Sequence, residues 1–378
     1  MTRRAATALI VFALLLGGCG GGSDGAARAT ATPAAEGRQL PEALDAELER
    51  TAEQAGQQGV ASALVVRGRL VWAGATGMAD IEAERPMTPR TPVYFASVSK
   101  TVTAAVALRL AERGRLELDA PVRRWIPEWD VPRAVTVRQL LGMNAGVRDP
   151  DEQFYIRQAR RPGRPITPHD WLRALSPRES GPAYANASFI LAGLAMKRAA
   201  GRDWDAVRHE VAPRLVLQPD DRVRGRPARF YWYPRGLGDP QPHGDGAGWV
   251  PSTAMATGAW TAGAWAGHTE ALSRWGDRLF RGGVLAPASL AEMTDFATEL
   301  DGPWPEYGLG LGRRMEDDEE VWGHSGGAIG VQSELWHVPR LGLTLATVAN
   351  DELSAQPHQQ QALLRVALES LDSGAGPP

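Results

Sequence analysis

The chain is almost without cysteine and almost without lysine. Cys19 is its only cysteine. A disulfide within the chain needs a second thiol, so no disulfide framework holds the fold. Lysine occurs only at Lys100 and Lys197, among 41 basic residues. Arginine does not lose its proton inside a protein, whereas a lysine amine can when burial or nearby positive charge lowers its pKa. A chain that writes arginine nearly everywhere but lysine at Lys100 points to a need for a deprotonable amine there. Long basic runs are also missing and the net charge is -3, so nothing marks a nucleic-acid partner. The seven histidines are scattered, and His209-Glu210 lacks the second histidine of a zinc-hydrolase helix. The acidic run Glu316-Asp317-Asp318-Glu319-Glu320 lacks EF-hand spacing and reads as a solvated turn. Gly308 to Gly312 lacks the lysine and helix of a phosphate loop. No metal or cofactor is expected, and no repeat of solenoid or propeller period is present.

What the chain does have starts at its beginning. Arg3 and Arg4 precede an apolar run from Ala5 to Leu16, which is short for a membrane span. Residues 1–18 read as a signal peptide. Leu16-Gly17-Gly18-Cys19 resembles the bacterial lipobox. The resemblance implies acylation of Cys19 and a lipid-anchored protein of the cell envelope, facing periplasm or exterior; ordinary secretion is the alternative. Residues 19–38 read as a flexible tether rich in Gly, Ala, Ser and Thr. Residues 39–378 read as one domain.

Within that domain, Pro41 to Gln54 carries a helical stripe of Leu44, Leu48 and Ala52. Val60–Val66 and Leu70–Ala75 are β-rich runs joined by Arg67-Gly68-Arg69, a hairpin pattern. Gly77 to Pro92 reads as loop. From about 115 to 300 the pattern is mainly helical with long Pro/Gly loops, and Asp149–Thr167 reads as a surface loop near a site. Arg222 to Gly263 is the least regular part. Strand-like runs return at Glu320–Trp322, Val331–His337 and Leu341–Ala349, before a final amphipathic helix from Pro357 to Leu371. Strands at both ends with helices between predict an α+β fold. One antiparallel sheet is built from both termini and flanked by helices, with a mainly helical insertion.

The chemistry gathers around Ser97-Val98-Ser99-Lys100, at the mouth of an apolar helix continuing to about Arg113. Positions i and i+3 share a helix face, so Ser97 Oγ and Lys100 Nζ can meet. A serine hydroxyl needs a neighbouring base before it attacks, and burial of this helix would lower the Lys100 pKa. Two further motifs follow in order, Tyr184-Ala185-Asn186 and His324-Ser325-Gly326. Together the three resemble the serine β-lactamase and penicillin-binding family, in particular its class C β-lactamase, DD-peptidase and carboxylesterase branch. Leu118-Asp119-Ala120-Pro121-Val122, Thr136 to Leu141 with Asn144-Ala145-Gly146, and Tyr307-Gly308-Leu309-Gly310 resemble other segments of that family.

The resemblance implies a β-lactamase/transpeptidase-like fold and a role for each residue. Ser97 would form an acyl-enzyme, and Lys100 would take or relay its proton. Tyr184 would be the second acid/base, its pKa lowered by the ammonium. Asn186 would hold Lys100 and a substrate amide. The N–H groups of Ser97 and Gly327 would form the oxyanion hole beside Ser325 and Gly326. The substrate would be a D-Ala peptide of peptidoglycan, a β-lactam or a carboxylic ester. Two departures bear on that choice. The family's β-lactamases carry Lys-Thr-Gly where this chain has His324-Ser325-Gly326, so a fixed positive charge becomes absent or pH-dependent. Ala185 stands where serine is common.

Two rivals remain open from sequence. Gly323-His324-Ser325-Gly326-Gly327 also fits the G-x-S-x-G elbow of an α/β-hydrolase, with Ser325 as nucleophile and Asp351 and His358 as partners. That elbow needs a helix after it, and a strand-like run follows instead. The other rival is a non-catalytic lipoprotein that binds penicillin or peptidoglycan through the same cleft.

Overall fold

The structure is a computed structural model. It describes residues 33–129, 134–159, 161, 163–176, 181–218, 220–232, 241–243, 252–351 and 358–372. The leader and Cys19 lie outside the described residues. Helix α1 spans Pro33–Ala55, with Pro41 inside it, so it begins within the stretch read as tether.

Its stripe of Leu40, Leu44, Leu48 and Ala52 is buried, each leucine contributing roughly 2 kcal/mol by leaving water. The hairpin forms as expected, from β1 (Gly59–Val66) and β2 (Arg69–Asp80). Arg67 and Gly68 both take positive φ at its tip, the conformation that matches strand twist in a two-residue turn. β2 extends into the stretch read as loop, where it pairs with β3 (Arg85–Pro86). Near the other end of the chain come β4 (Thr298–Glu299), β5 (Glu306–Tyr307), β6 (Gly312–Glu316), β7 (Glu319–Ala328), β8 (Val331–Val338) and β9 (Leu343–Ala349). They join one sheet of order β3-β2-β1-β9-β8-β7-β6-β5-β4. Every pairing is antiparallel. The central pair, β1 against β9, brings the two ends of the chain together. That architecture agrees with the α+β expectation.

One face of the sheet is covered by α1 and the last helix, His358–Asp372. Gln360 of that helix bonds Thr347 and the Leu345 carbonyl of β9. The opposite face packs on Thr269–Phe280, against Leu335 and Thr344, and on the helical region between the sheet's two halves. There Ser99–Glu112 forms α2, buried along nearly its whole length. The loop expected over Asp149–Thr167 contains a helix, α3 (Glu152–Ala159). Asn186–Ala200 forms α4. The stretch read as least regular ends in another helix, α5 (Thr253–Gly263).

Candidate active site

Ser97 does not sit in the α-helix itself. It lies in a 3-10 turn, Ala96–Val98, directly before α2. Ala96 takes φ +43°, a left-handed conformation that costs a residue with a side chain and recurs at functional sites. The turn is tied down on two sides. Phe95 N–H donates to Trp265 O at 2.9 Å, and Ser333 Oγ donates to Phe95 O at 2.6 Å. The expected i, i+3 geometry holds, with Lys100 Nζ 2.8 Å from Ser97 Oγ.

Lys100 is fully buried. Besides Ser97, its amine faces Asn186 Oδ1 at 2.8 Å and Ala262 O at 3.0 Å. It also stands 4.8 Å from the Tyr184 ring centroid. Burial lowers its pKa from the 10.5 of a free lysine to about 7, with the Asp149 carboxylate opposing. The geometry suits the neutral amine. Its two hydrogens have two acceptors, Asn186 Oδ1 and Ala262 O, which leaves the lone pair for the Ser97 hydroxyl hydrogen.

Asp149 is the residue that sequence reasoning missed. Helix α4 begins after Ala185, whose side chain offers no cap. Asp149 supplies the cap from a distant segment, accepting from Ala187 N–H at 2.8 Å. It satisfies an orphan donor and places negative charge at the positive end of the helix. Its other oxygen accepts from Asn186 Nδ2 and from the Tyr155 hydroxyl, each at 3.0 Å. Asn186 is thereby oriented with its carbonyl oxygen toward Lys100. Asp149→Asn is expected to lower kcat/KM by about ten- to a hundredfold and to move its acid limb to lower pH, because a charge favouring the ammonium is lost. A pH–rate profile of the variant checks this.

The Tyr184 phenol differs from expectation. The residue as a whole is 42 % exposed, while its ring stands against Lys100, Tyr307 and His324. Removal of the phenol from water, the largest effect, and the Asp149 charge raise its pKa, against a hydrogen bond with Ser97. The ammonium does not win. Tyr184 therefore stays a protonated donor near neutrality.

At His324 the structure favours the first of the two expectations, a fixed positive charge that is absent. This residue is 2 % exposed. Burial and, secondarily, the Lys100 charge lower its pKa to about 3. It is a neutral ring at ordinary pH, not a pH-dependent cation. The Ser325 carbonyl, 2.6 Å from Nδ1, can only accept, so Nδ1 carries the hydrogen. Nε2, 3.0 Å from the Tyr307 oxygen, then accepts from that hydroxyl. Both nitrogens are spent.

Ser325 is not placed as a nucleophile. It sits inside antiparallel β7, paired across from Glu334. Its Oγ accepts from Trp304 Nε1 at 2.8 Å and bonds the Glu334 carboxyl. No helix follows, and the Asp351 of that rival arrangement lies at the end of β9, where it accepts from Gln58 N–H at 2.5 Å. The elbow reading is thereby corrected. Gly326 lets β7 lie directly against the nucleophile turn. A Cβ there would collide with Ser333 Oγ, sit 2.5 Å from Phe95 O and 3.0 Å from Ser97 N. Gly326→Ala is expected to cost about 2 kcal/mol of stability, measured by denaturant unfolding, and to depress turnover. The close approach brings Ser97 and Gly327, whose N–H groups are the expected oxyanion donors, to the wall of one cleft.

That cleft has two lobes. One, of about 320 Å³, is lined by Tyr94, Ala96, Trp171, Met255, Ala259 and Ile329 among others, together with Ser97 and Asn186. The other holds Tyr184, Trp304, Tyr307 and His324. Among the described residues, no group of three or more His, Cys, Asp or Glu side chains could hold a metal ion.

The Beta-lactamase family model matches residues 44–369. The chain belongs to that family. Esterase EstB of Burkholderia gladioli is 29% identical over 354 residues, 81% of this chain and 89% of that protein. The mitochondrial serine beta-lactamase-like protein LACTB of Mus musculus is 34% identical over 134 residues, but the match spans only 33% of this chain and 24% of that protein. Among solved structures, D-amino acid amidase from Ochrobactrum anthropi superposes with a TM-score of 0.74 at 23% identity, covering 89% of this chain and 99% of that one. That likeness shows the shared fold.

Proposed function

We propose that this member of the family is a serine hydrolase that forms an acyl-enzyme on Ser97. Its substrate is a neutral ester or amide with an apolar acyl group. The observation that carries the reading is the pairing of Ser97 with a buried amine whose pKa is lowered to about 7. The Ser97 hydroxyl proton passes to Lys100 as the Oγ–carbonyl bond forms. The oxyanion is received by the N–H groups of Ser97 and Gly327. On collapse the bond to the leaving group breaks, Tyr184 gives that group its phenolic proton, and the Lys100 ammonium returns a proton to Tyr184. Water then enters by the reverse route and releases the acid.

Substrate choice follows from the third motif. A D-Ala-D-Ala peptide or a β-lactam presents a carboxylate, and a neutral His324 with both nitrogens committed offers it no ion pair. The apolar lobe suits an aliphatic or aromatic acyl group instead. The esterase and amidase names of the relatives are consistent with this reading. A panel of a p-nitrophenyl ester, an amino acid amide, a D-Ala-D-Ala peptide and a chromogenic cephalosporin, with Ser97→Ala as control, tests it. Ester or amide turnover should exceed the other two by at least about tenfold; faster cephalosporin hydrolysis would sink the substrate assignment. A location is part of the same proposal: Leu16-Gly17-Gly18-Cys19 resembles a lipobox, which supports a lipid-anchored envelope protein. Labelling of the protein by palmitate in the producing cells, lost in Cys19→Ser, is the expected result.

A further inference from the structure

Trp260 lies inside α5 in a conformation that a regular helix excludes, with φ +27° and ψ −119°. Its own Cβ opposes that backbone. The indole is 6 % exposed and held from several sides. Its Nε1 donates to Asp220 Oδ2 at 3.5 Å, and Trp204 Nε1 donates to the same oxygen at 3.2 Å. Asp220 Oδ1 lies 3.5 Å from Lys197 Nζ, which stands 5.5 Å from the Trp260 ring centroid. The Trp204 ring packs 6.1 Å away. The chain's second lysine thus belongs to a clamp around a strained residue.

The break directly precedes the residues that meet α2. Thr261 and Ala262 lie in the last turn of α5, where carbonyls have no partner within the helix. Here Thr261 O accepts from Thr103 Oγ1 at 2.6 Å, and Ala262 O accepts from Lys100 Nζ at 3.0 Å. Both carbonyls are turned onto α2, the helix of the base. Thr261 Oγ1 fixes the segment to α4 by donating to Phe189 O at 2.8 Å.

We propose that Trp260 is a positioning residue: its clamped, strained backbone delivers the Ala262 carbonyl to Lys100 and so aims the amine at Ser97. The inference rests on the serine hydrolase reading. A neutral amine has two hydrogens and one lone pair. With Asn186 Oδ1 and Ala262 O holding the hydrogens, the lone pair is directed at the serine hydroxyl. Without Ala262 O the amine turns about its terminal bond and the lone pair loses its aim. The carbonyl also stabilises the ammonium formed on proton transfer, so its loss lowers the proton affinity of Lys100.

Two lysines make a direct test available. In protein labelled with lysine enriched in carbon-13 at Cε, Lys100 and Lys197 give two signals, assigned with Lys197→Arg. The groups facing Lys100 are Ser97, Tyr184, Asp149, Asn186 and His324, and the test variants alter none of them. In Trp260→Ala and Asp220→Asn the Lys100 midpoint should move to lower pH, further in the first. Ester kcat/KM per titrated active site should fall at least about tenfold in Trp260→Ala. A lower melting temperature with an unchanged Lys100 midpoint and unchanged normalised kcat/KM would overturn the proposal. Should Trp260→Ala not fold, the Asp220→Asn midpoint decides. The midpoint is read without turnover, so an inactive wild type would defeat the hydrolase reading while leaving this test in force.

Discussion

Ser97→Ala should lower ester or amide turnover by at least about 10⁴-fold, while Ser325→Ala stays within about tenfold of wild type. The two serines occupy different chemical situations. Ser97 Oγ is 2.8 Å from a buried amine, in a turn that α2 and β7 hold open to the cleft. Ser325 Oγ bridges the Trp304 indole and the Glu334 carboxyl inside a paired strand, away from the Lys100 amine. Removing it loosens β7 and leaves the acylating pair intact. Removing Ser97 deletes the atom that forms the new bond, and what remains is binding and oxyanion stabilisation alone. Initial rates with active-site titration separate the two. The opposite ranking would restore the elbow assignment. Absence of a p-nitrophenol burst and of covalent labelling by a fluorescent penicillin in the wild type would point to the non-catalytic binder.

The second large effect is at Lys100. Lys100→Arg keeps a positive charge but cannot release its proton. It is expected to lose at least about 10³-fold in kcat/KM at every pH where the protein is folded. In the wild type, kcat/KM should rise with pH through about 7 as Lys100 deprotonates. The same shift predicts a slope in stability. Lys100 titrates near 7 when folded and near 10.5 when free. Between these values the unfolded chain binds more protons, so stability increases with pH across that window. Below pH 7 both states are charged and the full cost of burying the ammonium is felt. Lys100→Met should remove this rise, a difference on the order of several kcal/mol between the window's ends. Denaturant unfolding at pH 6 and pH 10 measures it. Parallel stability curves for the two proteins would contradict the lowered pKa.

Much of this was legible from local signals. The Leu44–Leu48 stripe, the Arg67-Gly68 turn and the alternating runs after Glu320 are short-range patterns, and together they pointed to the antiparallel sheet from both ends. Ser97 and Lys100 are three residues apart, so their meeting needed only helical geometry. What stayed hidden depends on distant chain. Asp149 is an ordinary acid in a polar stretch until the fold places it at the start of α4. Ala262 contributes a backbone oxygen, which has no sequence signature. The helix α5 was obscured by glycines and by Trp260, where the helical path breaks. Tyr184 and His324 are legible by residue, but their charge states are set by burial and by the charges of Asp149 and Lys100, brought from distant chain.

The central claim is that a neutral Lys100 activates Ser97. The most direct measurement is the pH titration of carbon-13-labelled lysine in the wild-type protein. The expected result is one Cε signal with a midpoint near 7, absent from Lys100→Arg and coinciding with the acid limb of kcat/KM. A Lys100 signal that titrates like a free lysine, near 10.5, would contradict it.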